Sequence, residues 1–222
     1  MRAPTRIVIV DDHAMMLDGI RAILEKEEGF AVVGEAGNGR DAILAAAKHA
    51  PDIMLIDVSM PDLNGMEATR KIRAVDPKIA IIALSMHSDE RYVVGMLDAG
   101  AQGYLLKTCD AQELVRAIDA VRRGRIYVTA DLTHVLVDRR SPGVHGAAKT
   151  GTPPKESLTP REREVLQLLA EGLTSRQISQ RLGTALKTIE AHRTNIIGKL
   201  DLHSVAELTK YAVREGLTGL SD

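Results

Sequence analysis

Five short, uninterrupted apolar runs, each followed by a stretch of helical periodicity, fill the first 125 residues and leave few folds open. The runs cover residues 6–10, 31–34, 53–57, 79–85 and 103–106, and the helical stretches 13–27, 38–49, 65–75, 88–99 and 111–123. None of the runs alternates polar with apolar residues, so each predicts a strand covered by helices on both faces rather than a half-exposed one. A strand followed by a helix, repeated five times, places the strands parallel in one open sheet. The last helix opens with Asp110 and Glu113, the spacing of a capping box.

Beyond residue 125 the pattern changes. Residues 139–157 collect Pro, Gly, Ser and Thr without apolar periodicity, which predicts a flexible linker. We therefore expect three segments: a first domain over 1–125, a linker helix and flexible linker over 126–157, and a small all-α domain over 158–222. That last domain reads as four helices, at about 160–171, 175–182, 186–199 and 204–215, separated by Gly172, Gly183 and residues 200–203. Thr159 with Glu162, around Pro160, and Thr174 with Gln177 mark two of the helix starts.

Composition narrows the chemistry. Apolar residues make up 45% of the 222, yet there is one Phe and no Trp, so the cores are aliphatic and base stacking on aromatics is disfavoured. A single cysteine, Cys109, excludes an internal disulfide or a thiolate metal cluster and reads as a small buried apolar filler. The run Ile7-Val8-Ile9-Val10 is too short for a signal peptide or a membrane span, and the expected location is cytoplasmic, with no membrane partner. The net charge of −1 hides an uneven layout: residues 1–138 carry 16 basic against 21 acidic side chains, and residues 155–222 carry ten against nine.

Polar residues at the strand ends carry the functional signal. Asp11 and Asp12 follow the first run, Asp57 ends the third, Ser85 ends the fourth and Lys107 follows the fifth. Ligands of an open α/β sheet bind outside the carboxyl ends of its strands, so these side chains meet there if their strands are neighbours. Crowded carboxylates favour a hard dication, and Mg²⁺ takes one to three carboxylates, a backbone carbonyl such as that of Ser59, and waters. An ammonium and a hydroxyl beside such acids suit a phosphoryl group on Asp57, one neutralising charge and the other donating a hydrogen bond. Pro61 and Gly65 turn the loop that bears the carboxylate rim.

On the motifs Val10-Asp11-Asp12-His13, Leu55-Ile56-Asp57-Val58-Ser59-Met60-Pro61, Ala83-Leu84-Ser85 and the run from Gly100 to Lys107, residues 5–125 resemble a receiver domain. Nearly the whole chain is similar to the NarL/LuxR-type response regulators of two-component systems. The resemblance implies a flavodoxin-like (βα)5 parallel-sheet receiver followed by a four-helix LuxR-type helix-turn-helix domain. It also implies that Asp57 accepts a phosphoryl group from a sensor histidine kinase and that Asp11, Asp12, Asp57 and the Ser59 carbonyl hold Mg²⁺. Ser85 and Lys107 then bind the phosphoryl oxygens, and Tyr104 is the aromatic that follows Ser85, an ordinary strand aromatic being the alternative for that residue. Leu17 stands where most such receivers carry a basic residue, and His87, two residues past Ser85, lies where side chains control access of water, a solvated loop histidine being the alternative.

Residues 175–199 form a helix-turn-helix pattern whose second helix fits a major groove, with Arg176, Arg181, Lys187, Arg193 and Lys199 against the single acid Glu190. Residues 158–166 and 187–192 resemble the LuxR-type signature. By that resemblance Ile178, Leu182, Ile189, Ile196, Ile197 and Leu200 are core, while Lys187, Thr188, Glu190, Ala191, His192, Arg193, Thr194 and Lys199 face double-stranded DNA with a two-fold operator. Glu190, Ala191, Thr194 and Asn195 are the candidate base readers. Val205, Leu208 and Tyr211 are the candidate dimer contact for a homodimer formed on phosphorylation, burial within the domain being the alternative for this strip. Ala185 replaces the Ser that usually caps the recognition helix, and Thr184 beside it offers a substitute cap. The resulting expectation is a phosphorylation-controlled transcription factor and not an enzyme. The competing readings are a phosphatase or phosphotransferase with Asp57 as nucleophile, which would lack a general acid at Ser59 and a cap domain, and a scaffold that works without phosphorylation.

Overall fold

The computed structural model describes residues 3–135 and 158–219, and the chain divides into two compact units at residues 137/138. The expected flexible linker over 139–157 lies outside the described residues.

In the first unit, β1 (Thr5–Val10), β2 (Phe30–Ala36), β3 (Ile53–Asp57), β4 (Ala80–Ser85) and β5 (Gly103–Leu106) alternate with five helices. These are α1 (Ala14–Leu24), α2 (Gly39–His49), α3 (Gly65–Val75), α4 (Glu90–Ala99) and α5 (Ala111–Arg122). The sheet is parallel throughout, in the order β2-β1-β3-β4-β5 with one further strand beside β5, so it is the expected flavodoxin-like arrangement with one addition. That addition is β6 (Tyr127–Val128), which pairs with β5, followed by a 3-10 turn over Ala130–Leu132. Of residues 126–135, expected to open the linker segment with its helix, Tyr127 and Val128 thus extend the sheet. Two residues are too few to show a strand period, and β6 exists because β5 offers a free edge: the Tyr127 N–H donates to Gln102 O and the Thr129 N–H to Tyr104 O.

The unbroken apolar runs follow from helices on both faces. Val8, Val10, Met54, Ile56, Ile81 and Ala83 point into one aliphatic core with α2, α3 and α4. Ile7, Ile9, Ile53, Leu55, Ile82 and Leu84 point into another with α1 and α5. Adjacent strand residues serve opposite cores, so no position is left for a polar side chain until the strand ends. The functional candidates therefore gather at one rim.

In the second unit, α6 (Pro160–Ala170), α7 (Ser175–Leu182), α8 (Leu186–Leu200) and α9 (Val205–Arg214) enclose a core of Leu158, Val165, Leu166, Leu169, Ile178, Ile189, Ile196, Leu200, Leu208 and Ala212. The capping boxes at Thr159 and Thr174 form as expected, and Ser204 with Glu207 makes a third. Asp110 caps α5 on one side only, its Oδ1 accepting from the Glu113 N–H at 2.6 Å. No helix among the described residues is long and apolar enough to cross a membrane.

Candidate functional site

β1 and β3 are neighbours in register, Val10 beside Ile56, so the acids at their ends meet at the point where the strand order reverses. Asp11 and Asp57 are buried, whereas Asp12 keeps a solvent-facing edge. Lys107, arriving from β5, places Nζ 2.7 Å from Asp11 Oδ2 and 2.9 Å from Asp57 Oδ2 with its side chain almost wholly enclosed. Ligand atoms of Asp11, Asp12, His13 and Asp57 lie within 4.8 Å of one another.

Burial pushes the Asp57 carboxyl up to about 6 against the pull of Lys107, with the nearby Asp11 charge adding to the rise. Burial alone would lower the Lys107 ammonium, but its hydrogen bonds to Asp11 and Asp57 hold it above the ordinary value. Three carboxylates against one ammonium leave a formal surplus of two negative charges, and hard oxygen donors are the set that Mg²⁺ takes. The residues present fit a divalent cation.

The loop after β3 is held by backbone geometry. The Ser59 N–H donates to Asp57 Oδ1 at 3.2 Å, and the Gly65 N–H donates to Val58 O at 3.0 Å. A Cβ on Gly65 would fall on the Asp57 carbonyl oxygen, so glycine is needed there for close approach rather than for an unusual φ. Asp62 in the same loop sits at φ +70° and pairs with Arg40 of α2, Nε to Oδ2 at 3.0 Å. Arg40 and Asp62 carry no motif, and only the folded loop reveals them.

Ser85, Tyr104 and His87 form a connected chain beside the acids. The buried Ser85 Oγ accepts from the His87 N–H at 3.0 Å, and the Tyr104 hydroxyl donates to the His87 carbonyl at 2.8 Å. Tyr104 is wholly buried, which raises its phenol well above the ordinary range. The His87 ring stacks on Tyr92, with centroids 4.4 Å apart and planes 10° from parallel. Cys109 is only half-buried, against the α1/α5 core, and burial pushes its thiol up.

In the helical unit, α8 exposes Lys187, Thr188, Glu190, Ala191, Thr194 and Asn195, while Ile189, Ile196 and Leu200 face the core. Positions 187, 190/191 and 194/195 recur at helical spacing, so the exposed set is one stripe. His192 and Arg193 flank it, half-buried. Lys199, expected among the DNA-facing residues, is half-buried and places its Nζ 2.8 Å from Glu162 Oε2, on the carboxylate that also accepts the Thr159 N–H.

Two further expectations change. Thr184 does not cap α8; its hydroxyl donates to Leu182 O and accepts from Arg161 Nη2, and Ala185 stands at the N-cap without a side-chain bond. Leu208 is 2% exposed and belongs to the core, as does Ala212, which leaves Val205, 52% exposed, and Tyr211, half-buried and packed against that core, at the two edges of the buried strip of α9. An i, i+3 apolar strip reads the same from either side of a small bundle, and packing assigned most of it inward.

Comparison with known proteins matches residues 7–119 to the response regulator receiver domain and residues 156–212 to the bacterial regulatory proteins of the luxR family. The chain belongs to the LuxR-family response regulators. It is 38% identical over 213 residues to the oxygen regulatory protein NreC of Staphylococcus haemolyticus, covering 96% of this chain and 98% of that one. Among solved structures it is similar to RcsB of Salmonella typhimurium, at 27% identity and a TM-score of 0.65, covering 96% of this chain and 99% of that one. It is likewise similar to a complex of RcsB with DNA, at 27% identity and a TM-score of 0.58, covering 96% and 98%. As a member of this family, the response regulator is a phosphorylation-controlled, DNA-binding transcription regulator of a two-component system.

Proposed function

We propose that Asp57 is the phosphoacceptor of this response regulator and that a sensor histidine kinase is the donor. The observation that carries the reading is the bridge of Lys107 between Asp11 and Asp57 at the carboxyl rim of the sheet. At neutral pH Asp57 is mostly ionised, as an attacking carboxylate must be. Its oxygen bonds to phosphorus as the bond to the donor imidazole breaks, and Lys107 neutralises charge on the transferred group. Asp11, Asp12, Asp57 and the Ser59 carbonyl would hold Mg²⁺, which supplies charge neutralisation for the phosphoryl oxygens when bound.

The switch follows from the chain of hydrogen bonds beside the site. A phosphoryl group on Asp57 attracts the Ser85 hydroxyl, which must then move away from the His87 N–H that it accepts from. His87 in turn carries the carbonyl that holds the Tyr104 hydroxyl. Ser85 and Tyr104 thereby pass a local change in charge to the surface around β4 and β5, biasing one of two arrangements.

The output is DNA binding through the α8 stripe. Lys187, Thr188, His192 and Arg193 serve the backbone, and Glu190, Ala191, Thr194 and Asn195 read base edges, with Glu190 accepting from cytosine N4 and Ala191 touching a thymine methyl. Phosphorylation favours a homodimer on a two-fold site, with Val205 and Tyr211 as its contact on DNA. The acidic receiver restrains the mildly basic helical unit until Asp57 is modified. The chain is cytoplasmic, where its donor kinase and DNA are both accessible, and its receiver, β6 included, is joined by a linker to a DNA-binding domain over 158–222.

Incubation with Mg²⁺ and a small phosphodonor tests the first step. One phosphoryl adduct is expected, Mg²⁺-dependent and absent from Asp57→Asn; turnover without an adduct would favour a phosphatase, and no reaction would favour a scaffold. For the restraint, the DNA affinity of a 150–222 fragment should exceed that of the unphosphorylated intact chain, and equal affinity refutes it.

A further inference from the structure

The segment that leads into α2 touches both of the loops that carry the acids. The Ala36 carbonyl accepts from the Asp11 N–H at 3.0 Å, and the Gly39 N–H donates, also at 3.0 Å, to the Leu63 carbonyl in the loop that follows Asp57. A Cβ on Gly39 would lie 2.2 Å from that carbonyl oxygen, so the start of α2 is pressed directly against the loop. Asn38 fixes this end of the helix, its Oδ1 accepting from the N–H groups of Arg40 and Asp41 at 3.0 Å each. Arg40 is thereby presented to the same loop, where its buried Nε lies 3.0 Å from Asp62 Oδ2.

Asp62 is an unfavourable choice by backbone alone. It is buried and holds φ +70°, in the left-handed region that glycine enters freely and a residue with a Cβ does not. Burying its carboxylate adds a desolvation cost unless a cation accompanies it. Glycine would remove both costs, and with them the link to Arg40. Near the acceptor the loop has no slack: the Ser59 N–H donates to Asp57 Oδ1 at 3.2 Å, and the Gly65 N–H closes the loop on the Val58 carbonyl at 3.0 Å. Its tip turns through a bond from the Leu63 N–H to the Pro61 carbonyl and is tied to α2 through Asp62 and Leu63.

We propose that Arg40 and Asp62 are a positioning pair for phosphoryl transfer. The ion pair sets the spacing between the Asp57 loop and the Asp11 loop, and with it the aim of the Ser59 N–H. That N–H, now on Asp57 Oδ1, is then held where a phosphoryl oxygen on Asp57 needs a donor. The pair acts through the loop rather than on the reacting atoms. The inference rests on the reading of Asp57 as phosphoacceptor and adds two residues that tune its rate.

The test uses the full-length protein, Mg²⁺ and acetyl phosphate, with the adduct followed over time at a series of donor concentrations. Asp62→Asn keeps the side-chain shape and tolerates the left-handed backbone while losing the charge, and Arg40→Met removes the cation. A misplacement of about 1 Å can cost about a hundredfold in rate, so the partial release expected in these variants should lower the maximal rate on the order of tenfold. The half-saturating donor concentration should change less than about twofold, since an interaction felt only in the transition state leaves ground-state binding alone. The double variant should be no slower than the slower single one, because the two side chains act as one contact. Arg40→Lys, which keeps a cation, should be faster than Arg40→Met. Asp62→Gly separates the pair from the backbone: it fits φ +70° without strain, yet should be as slow as Asp62→Asn. A wild-type maximal rate in Asp62→Gly, a double variant slowed by the product of the single effects, or lower thermal stability with no change in maximal rate overturns the positioning role while leaving Asp57 as acceptor. No adduct in the wild type overturns the reading of Asp57 and this inference with it.

Discussion

Asp57→Asn should stabilise the metal-free protein, because the fold holds a charge at position 57 against the cost of burying it. In the native state this carboxyl titrates at about 6, against an ordinary value of 3.8. A raised pKa in an acid means that the native state binds the proton more tightly than the unfolded chain does. Stability therefore falls as pH rises from 3.8 to about 6, and the full cost of the charge is present above that window. A gap of roughly two pKa units, at about 1.4 kcal/mol each, makes that cost about 3 kcal/mol. Asn keeps the shape of the protonated carboxyl and cannot ionise. At roughly 3–5 °C per kcal/mol, its melting temperature should exceed that of the wild type by roughly 10 °C at pH 7.5. With no Trp, and with Tyr92, Tyr104 and Tyr127 in the first unit against Tyr211 alone in the second, tyrosine fluorescence during melting follows mainly the receiver. Measured in EDTA, the gain should be largest at pH 7.5 and shrink markedly by pH 4.5, and added Mg²⁺ should narrow it by stabilising the wild type. No gain at pH 7.5, or a gain that does not change with pH, would refute the electrostatic reasoning.

Other perturbations probe the remaining parts. Gly65→Ala forces a methyl onto the Asp57 carbonyl and should cost about 1–3 kcal/mol while slowing phosphoryl uptake, read by urea unfolding and a phosphodonor time course. Ala185→Ser supplies the missing cap of α8 and should add about 1 kcal/mol to the helical unit, seen as a higher denaturation midpoint; an unchanged midpoint argues that a hydroxyl there stays off the backbone. Lys199→Met leaves the buried Glu162 without its ion-pair partner and should destabilise the helical unit by about 1–3 kcal/mol. The salt dependence of DNA binding should barely change in Lys199→Met, whereas Lys187→Met should reduce the slope by about one phosphate contact.

Much of this was legible along the chain because it depends on local patterns. Unbroken apolar runs identified buried parallel strands, and the order of Asp11, Asp57, Ser85 and Lys107 at strand ends located a rim, since strands interior to the sheet have no room for polar groups elsewhere. Caps at Thr159 and Thr174 are local for the same reason: both partners lie three residues apart.

What the tertiary structure alone decided concerns partners distant in the chain. Glu162 claims Lys199 across 37 positions, Arg40 meets Asp62 across a helix and a strand, and Arg161 occupies the Thr184 hydroxyl that stood ready to cap α8. β6 exists only because β5 offers it an edge, and Leu208 turned inward because a bundle of this size consumes most of its apolar surface. Asp57 shows both sides: its place at a strand end follows from the sequence pattern, while its raised pKa follows from burial, from Lys107 and from Asp11, which only folding brings within reach.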